Sequence, residues 1–280
     1  MECPICTKAL SKKKINDHVM ICIETLDTSV DAIELTTIQK KAIEYCKTKS
    51  RILSAQIYDN VIIKGISLGH EKVKIEKLLS EFSNKVELSI NFHFAHLAFF
   101  LNDGVYKNIF ETGKSSGCSD TNTREIWENN LFGNIYSHDC DPSERVKYGA
   151  LHLFNEQRAL SACNMYGDCA MILKSKVKNR TSYVYGDSSG MQFQIGTIEH
   201  SGAILNSLHD SLLDNLIKYY NGDAYDSSVY NVYIEVQIHG ILRMMHDVEK
   251  MYIPSVYNVP ENKEKFEQLF EKFGIVCYFF

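Results

Sequence analysis

The sequence predicts an α+β fold, because helical patterns dominate the first half of the chain and strand patterns the second. Apolar residues recur at three- and four-residue intervals along residues 35–52 and 71–82, as in amphipathic helices. From Val86 to Phe92, and repeatedly after Leu151, apolar residues alternate with polar ones or form short runs, which is typical of strands. We therefore expect a sheet-rich core with helices before it.

The composition is that of a folded protein and not of a membrane or disordered one. The 280 residues are 45% hydrophobic and 23% charged, with 4 prolines. The chain contains neither an apolar run long enough to span a membrane nor the apolar core of a secretory signal near its start. A net charge of −5 disfavours binding to nucleic-acid phosphates. Because 9 cysteines occur without a secretory signal, we expect thiols in a reducing, cytoplasmic compartment.

Residues 1–25 contain four zinc-ligand side chains at the spacing of a small zinc finger. Cys3 and Cys6 form a C-x2-C knuckle, and His18 and Cys22 follow at a distance of one helical turn from each other. Three thiolates and one imidazole complete a tetrahedral shell and prefer zinc to calcium or magnesium. The segment is too short to fold on apolar burial alone, so zinc would stabilise it. The alternative is a chance spacing of unrelated residues.

This segment resembles the ubiquitin-binding zinc fingers called UBZ, through Cys3-Pro4-Ile5-Cys6 and Ile15-Asn16-Asp17-His18. The resemblance implies a small ββα finger that binds ubiquitin. It departs from the family at Met20, where many members carry an aspartate that contacts ubiquitin. We therefore predict a finger in residues 1–25, a linker in residues 26–34 and a catalytic domain in residues 35–280.

The remaining elements follow from the same periodicities. Beyond the first two helices, we predict helices over 207–220 and 263–273, and strands over 86–92, 170–173, 182–185, 192–195, 230–238 and 275–280. The chain has no nucleotide-binding glycine loop, no G-x-S-x-G elbow and no H-E-x-x-H motif. The common kinase and hydrolase functions therefore have no motif support.

One predicted strand carries an unusual row of polar residues. Glu235, Gln237 and His239 share one face of this strand, and the opposite face is aliphatic. Burying such a row is costly unless it faces a functional site. The alternative is the surface face of an edge strand. Similarly, Cys140, Cys163 and Cys169 with His138 are either a second metal site or, in the simpler interpretation, unrelated buried thiols.

Several polar clusters, taken in order, resemble a bacterial family formerly described only as a domain of unknown function. The family includes the CteC-like mono-ADP-ribosyltransferases, which act on ubiquitin threonine, and the similarity covers the chain from Leu35 to Val256. The matching segments are Leu35–Ala42, Asn91–His93, Asp103–Gly117, Arg124–Gly133, Tyr148–Leu151, Tyr185–Ser188 and Tyr233–Gly240. The departure is Phe94-Ala95-His96, where the family has proline, aspartate and arginine.

The resemblance implies an ADP-ribosyltransferase fold in which two small sheets hold NAD in a cleft. Glu235 would be the catalytic carboxylate, since a fixed negative charge stabilises the oxocarbenium-like state in which the glycosidic bond breaks. The resemblance and the side-chain chemistry together predict NAD contacts at His93, His96, Tyr106, Phe110, Thr112, Gly113, Ser115, Arg124 and Gln237. Ubiquitin would be the protein acceptor, recruited by the finger.

Two alternatives stay open. Loss of the family arginine at His96 would fit a degenerate module that binds ubiquitin or NAD without turnover. A transferase with another acceptor, including nucleic acid, would fit the local basic segment Lys12–Lys14 but not the acidic overall charge. Because the relatives are bacterial effectors, delivery into a host cell is the alternative to a cytoplasmic role in the producing cell.

Overall fold

The computed structural model describes residues 34–114, 120–189 and 194–280. The predicted zinc ligands Cys3, Cys6, His18 and Cys22 lie outside the described residues, as does Ser115. The described helices are α1 (Thr37–Ser67), α2 (Lys72–Lys85), α3 (Leu97–Asp103), α4 (Ile109–Thr112), α5 (Thr121–Phe132), α6 (Gly202–Ser207), α7 (Asp210–Asn221), α8 (Met244–Asp247) and α9 (Lys263–Phe273). The described strands are β1 (Glu87–Phe92), β2 (Val105–Tyr106), β3 (Lys147–His152), β4 (Cys169–Leu173), β5 (Thr181–Tyr185), β6 (Ile195–Gly196), β7 (Ile234–Ile238), β8 (Leu242–Arg243), β9 (Val248–Ile253) and β10 (Val276–Phe279).

These elements confirm the α+β class. Within the described ranges, eight strands form one mixed sheet in the order β10-β9-β4-β1-β3-β7-β5-β6, and β2 pairs with β8 in a separate ribbon. Neighbours in the large sheet are antiparallel except for β10, which runs parallel to β9. Strand β7 lies inside the sheet between β3 and β5. The alternative that its polar row is the surface of an edge strand is therefore wrong.

The two faces of the sheet pack in different apolar clusters. On one face, Val236 of β7 lies in the large core together with Leu78 of α2 and the apolar side of α7. On the opposite face, Val184 of β5 packs in a second cluster with Cys46 of α1 and Phe132 of α5. Glu235 is the register partner of Val184 and therefore belongs to this second face.

Helix α1 begins at a capping box formed by Thr36 and Gln39, but it extends to Ser67 and not only to residue 52. Its C-terminal half joins the large core through buried Val61 and Ile62. Apolar residues also occur on its exposed side, where Ile63 is 63% exposed. These exposed residues obscure the amphipathic pattern, so the sequence did not predict the second half of the helix.

Other predicted elements differ from the structure in their bounds. The helix predicted over 207–220 corresponds to α7, which begins at Asp210 because His209 caps it by accepting the Leu212 N–H at 3.2 Å. The short helix α6, which ends at Ser207, was not predicted. The strand predicted over 230–238 begins only at Ile234, after a 3-10 turn at Ser227–Val229. The strands predicted at 86–92, 170–173, 182–185 and 275–280 and the helix at 263–273 are confirmed within two residues. Strands β3 and β9 and helix α5 were not predicted.

No described helix combines the length and the apolar character that crossing a membrane requires.

Candidate active site

A cavity of about 570 Å³ lies beside strands β1, β3 and β7. Its volume falls within the usual range for small-molecule sites. Small residues of β3 leave this space: Ala150 is the register partner of Glu235, and its neighbour Gly149 also lines the cavity. A Cβ atom at Gly149 would approach the Ser89 carbonyl oxygen to 2.5 Å, so this position accommodates only glycine without a shift of the backbone.

Glu235 lines this cavity together with two other carboxylate residues, Asp103 and Glu111, and it is only 4% exposed. Its Oε1 accepts a hydrogen bond from Gln237 Nε2 at 2.8 Å. The Gln237 Oε1 in turn accepts from the Ser182 hydroxyl at 2.7 Å, which directs the amide N–H groups towards Glu235. Gln237, a predicted NAD contact, is fully buried and holds Glu235 from outside the cavity lining.

The burial of Glu235 has an electrostatic consequence. Burial raises its pKa to about 7, and the charge of Asp187 acts in the same direction. The nearby Ser188 hydroxyl, the hydrogen bond from Gln237 and the charge of Arg124 lower this pKa and so limit the rise. The carboxyl group therefore exists in both protonation states near neutral pH.

Arg124 places a buried guanidinium in the cavity wall, with 8% of the residue exposed. The guanidinium carbon lies 4.5 Å from the ring centroid of Tyr148 and 5.1 Å from that of Trp127. Among the described residues its Nε has no hydrogen-bond partner and no carboxylate lies within ion-pairing distance. A buried cation with an unused donor indicates a site for an anionic group of a ligand.

The charge of Arg124 is retained in this environment. Burial alone would lower the pKa of Arg124, but Tyr148 and the carboxyl groups of Glu235 and Glu128 more than offset that effect, so its pKa is raised. The side chain is therefore a permanent positive charge in the cavity wall.

A second buried carboxyl group, Glu128, fixes the ring on which Arg124 stacks. The Tyr148 hydroxyl donates to Glu128 Oε1 at 3.1 Å, and Arg145 Nη1 donates to Glu128 Oε2 at 3.0 Å. Burial raises the pKa of Glu128 to about 7 although Arg145 opposes the rise. Glu128 and Tyr148 occur in the matching segments, but the sequence could not show that α5 and β3 bring them together.

Three further predicted NAD contacts line the cavity: His96, Tyr106 and Thr112. Burial and the neighbouring His93 lower the pKa of His96, so its ring is uncharged at neutral pH. Burial raises the pKa of Tyr106 to about 12, which keeps its hydroxyl protonated. The Thr112 hydroxyl lies 3.0 Å from the Asn108 carbonyl oxygen, within its own turn. In addition to Arg124, the cavity wall therefore contains these neutral polar and aromatic groups, together with the charged residues Asp103, Lys107, Glu111 and Lys114.

Three other predicted contacts lie outside the cavity. His93 is exposed and touches His96 edge-on, with 5.7 Å between ring centroids. The Phe110 ring packs on the guanidinium of Arg145 at 4.2 Å, so Phe110 contacts the Glu128 network. Gly113 ends α4 with φ of +67°, and its N–H donates a hydrogen bond to the Ile109 carbonyl oxygen. The predicted N–H donors of this turn are thus satisfied internally.

His239 also lies away from the cavity, although it continues the polar row of β7. Its Nδ1 is 2.7 Å from the Tyr136 hydroxyl, and burial together with Arg180 lowers its pKa to about 3. His239 is therefore a neutral core residue.

Two residues of the 3-10 helix Ser161–Tyr166 also line the cavity: Tyr166, which the sequence did not single out, and Cys163, which the sequence suggested only as a metal ligand. Cys140, Cys163 and Cys169 are buried. Within the described ranges, no three His, Cys, Asp or Glu side chains lie close enough together to hold a metal ion, and these cysteines are separate buried thiols.

Part of the chain matches the model of a known family. A family model described as "Protein of unknown function (DUF3626)" matches residues 92–217, just under half of the chain. The matched range contains His96, Tyr106 and Arg124 and ends before Glu235. No curated protein matches the chain.

Proposed function

We propose that the chain is a mono-ADP-ribosyltransferase that moves ADP-ribose from NAD to a protein, with ubiquitin threonine as the acceptor. The observation that carries this proposal is the pairing of Glu235 with Arg124 on one cavity of about 570 Å³. The first is a buried carboxyl group and the second a buried guanidinium with no carboxylate partner among the described residues. Both were predicted for these roles from the family resemblance.

The residues present fit NAD. Arg124 would hold the diphosphate, because its buried Nε is an unused donor and guanidinium groups bind phosphate oxygens in two-point contacts. Tyr106 and Tyr148, both in the cavity wall, would pack against the nicotinamide or adenine ring. His96 would donate to or accept from a ribose hydroxyl as a neutral ring.

In this proposal Glu235 acts as the catalytic residue. When bound, NAD supplies a glycosidic bond to a positively charged nicotinamide, which is an activated leaving group. The ionised Glu235 accepts a hydrogen bond from a ribose hydroxyl and stabilises the positive charge that develops on the ribose. Gln237 keeps the carboxylate in place through the 2.8 Å hydrogen bond, so little reorganisation is needed when that charge appears.

The finger predicted in residues 1–25 supplies the argument for ubiquitin. With Cys3, Cys6, His18 and Cys22 around a structural zinc ion, it would hold ubiquitin near the cavity and raise its effective concentration there. Residues 1–25 resemble UBZ fingers, and the rest of the chain resembles ubiquitin-modifying transferases. Both resemblances therefore favour ubiquitin as the partner.

A second function also has an observation in its favour. His96 stands in the cavity wall where the family has arginine, and its lowered pKa leaves it without charge. A cavity with one guanidinium in place of two fits a module that binds NAD without turnover.

The experiment that separates the two functions compares Glu235→Gln with Glu87→Gln. Glu87 lies on β1 of the same sheet and pairs with Lys250 at 2.9 Å, outside the cavity. We expect Glu235→Gln to reduce nicotinamide release from NAD by about 100-fold or more while NAD affinity, measured by calorimetry, changes only a few-fold. Glu87→Gln should match the unaltered protein. Binding without turnover in the unaltered protein would establish the binding module.

A further inference from the structure

A hydrogen-bonded chain leads from the cavity to the solvent on the Glu235 side. The hydroxyls of Tyr166 and Tyr233, both of which line the cavity, lie 3.0 Å apart. Tyr233 donates its proton to Asp187 Oδ2 at 3.0 Å. Asp187 is exposed, and its other oxygen accepts the Ser189 N–H at 2.7 Å, which fixes the carboxylate.

The position of Tyr233 suits a role in transfer. Tyr233 precedes Glu235 by two residues, so the two side chains project to the same side of the chain and line the same cavity. Because the Tyr233 hydrogen points to Asp187, its oxygen lone pair is available to a donor from Tyr166 or from the cavity. Burial raises the pKa of Tyr233 above its ordinary value, so the hydroxyl passes a proton on and does not ionise itself.

We propose that Tyr233 and Asp187 form a proton relay that deprotonates the hydroxyl that attacks the ribose. This inference rests on the proposed function. The bond between the ribose carbon and the nicotinamide nitrogen breaks, and its electron pair leaves with neutral nicotinamide. The attacking oxygen bonds to that carbon while its proton passes to the Tyr233 oxygen and the Tyr233 proton passes to Asp187. Asp187 then releases the proton to water.

Glu235 is less suited to take this proton. Its Oε1 is already held by Gln237, and protonating Glu235 would remove the negative charge that stabilises the ribose cation. Asp187 is in contact with solvent and can return to the carboxylate form after each turnover. The relay thus separates the base from the charge-stabilising group.

The test compares Asp187→Asn with Asp168→Asn. Asp168 offers a matched control because its Oδ2 accepts the Tyr257 hydroxyl at 2.9 Å, in the same Tyr–Asp arrangement but outside the cavity. Nicotinamide release would be measured with NAD and ubiquitin, or with water as the acceptor if ubiquitin is not modified. We expect Asp187→Asn and Tyr233→Phe to lower kcat by about 100-fold with KM for NAD unchanged. Asp168→Asn should change neither.

A formate rescue distinguishes a base from a structural support. Formate should restore part of the kcat of Asp187→Ala, because the site of Asp187 is open to solvent. The Asp187 charge raises the pKa of Glu235, so its removal alone would favour ionised Glu235 and could not cause the fall in kcat. An active protein in which Asp187→Asn has normal kcat, or in which formate has no effect on Asp187→Ala, would overturn the relay alone. An unaltered protein without NAD turnover would overturn the proposed function and the relay together.

Discussion

At the scale of single residues, the site contrasts two buried glutamates whose surroundings differ. Glu128 accepts hydrogen bonds from Arg145 and Tyr148, so both of its carboxylate oxygens have partners. Its role is to fix the Tyr148 ring. Glu235 receives one side-chain hydrogen bond from Gln237 and faces the cavity. Burial raises the pKa of each to about 7, but only Glu235 can place its charge against a ligand.

The raised pKa of Glu235 predicts a pH-dependent gain in stability for Glu235→Gln. Because the folded pKa of about 7 exceeds the ordinary value of 4.5, the folded state holds the proton more tightly, and stability falls as pH rises between these values. The amide cannot ionise, so Glu235→Gln should be more stable than the unaltered protein at pH 8, by up to about 3 kcal/mol. Thermal melts at pH 5 and pH 8 measure this, and the gain should fall to about 1 kcal/mol or less at pH 5. A gain of equal size in Glu87→Gln would contradict the account.

The stacking of Arg124 predicts that lysine does not replace it. A lysine ammonium lacks the planar fork that lies 4.5 Å from the Tyr148 ring centroid, and its N–H donors all lie on one nitrogen, so it cannot make the two-point contact of a guanidinium with a diphosphate. Arg124→Lys should therefore raise the dissociation constant for NAD about tenfold or more, measured by calorimetry. Arg158→Lys, a surface arginine that pairs with Glu156, is the control and should leave it unchanged. Equal NAD affinity in Arg124→Lys would show that the guanidinium does not hold the ligand.

At the scale of elements, the sequence predicted which side chains share a face of a strand better than it predicted which strands lie beside that strand. The period of two placed Glu235 and Gln237 on one face, which their 2.8 Å hydrogen bond confirms. It could not show that β7 is internal, because β3 and β5 are distant in sequence and β3 was not predicted. Helix α5 was missed for a related reason: its buried residues include Arg124 and Glu128, so charged side chains occupy positions where an amphipathic pattern expects apolar ones.

The 3-10 helix Ser161–Tyr166 depends on a close approach between Gly167 and β1. Gly167 has φ of +134°, and a Cβ atom there would lie 2.0 Å from the Phe92 carbonyl carbon. We expect Gly167→Ala to destabilise the fold by about 3 kcal/mol or more, because both the backbone conformation and the contact are incompatible with a side chain. Gly222→Ala is the control, since Gly222 has φ of +75° but no atom within 4 Å of the added Cβ, and should cost about 1 kcal/mol. Urea unfolding of the two variants measures the difference, and equal losses would contradict the close approach.

At the scale of the whole molecule, the cavity is assembled from segments far apart in the chain. The family resemblance predicted several residues that the fold brings together, namely His96, Tyr106, Thr112, Arg124 and Glu235. It also predicted NAD contacts at four residues that lie outside the cavity lining, namely His93, Phe110, Gly113 and Gln237. The sequence of a motif does not show which of its residues line a cavity and which support the lining residues. The Tyr233–Asp187 pair was likewise visible only once the ends of β5 and β7 were placed together.

If the predicted finger binds ubiquitin, its loss should change the KM for ubiquitin without changing catalysis in the cavity. His18→Ala should lower the zinc content of the purified protein, measured by elemental mass spectrometry, because one of four ligands is lost. The KM for ubiquitin should rise while kcat at saturating ubiquitin and KM for NAD stay constant, since the finger only concentrates the acceptor. His138→Ala, at a histidine whose side chain is 86% exposed, is the control. An unchanged KM for ubiquitin in a His18→Ala protein that has lost its zinc would show that the finger does not recruit ubiquitin.

The central claim is that Glu235 catalyses transfer of ADP-ribose to ubiquitin, and the intact mass of ubiquitin tests it most directly. Ubiquitin would be incubated with NAD and either the unaltered protein, Glu235→Gln or Glu87→Gln. We predict a mass gain of one ADP-ribose with the unaltered protein and with Glu87→Gln, and none with Glu235→Gln. Ubiquitin of unchanged mass in all three samples, or an equal gain with Glu235→Gln, would contradict the claim.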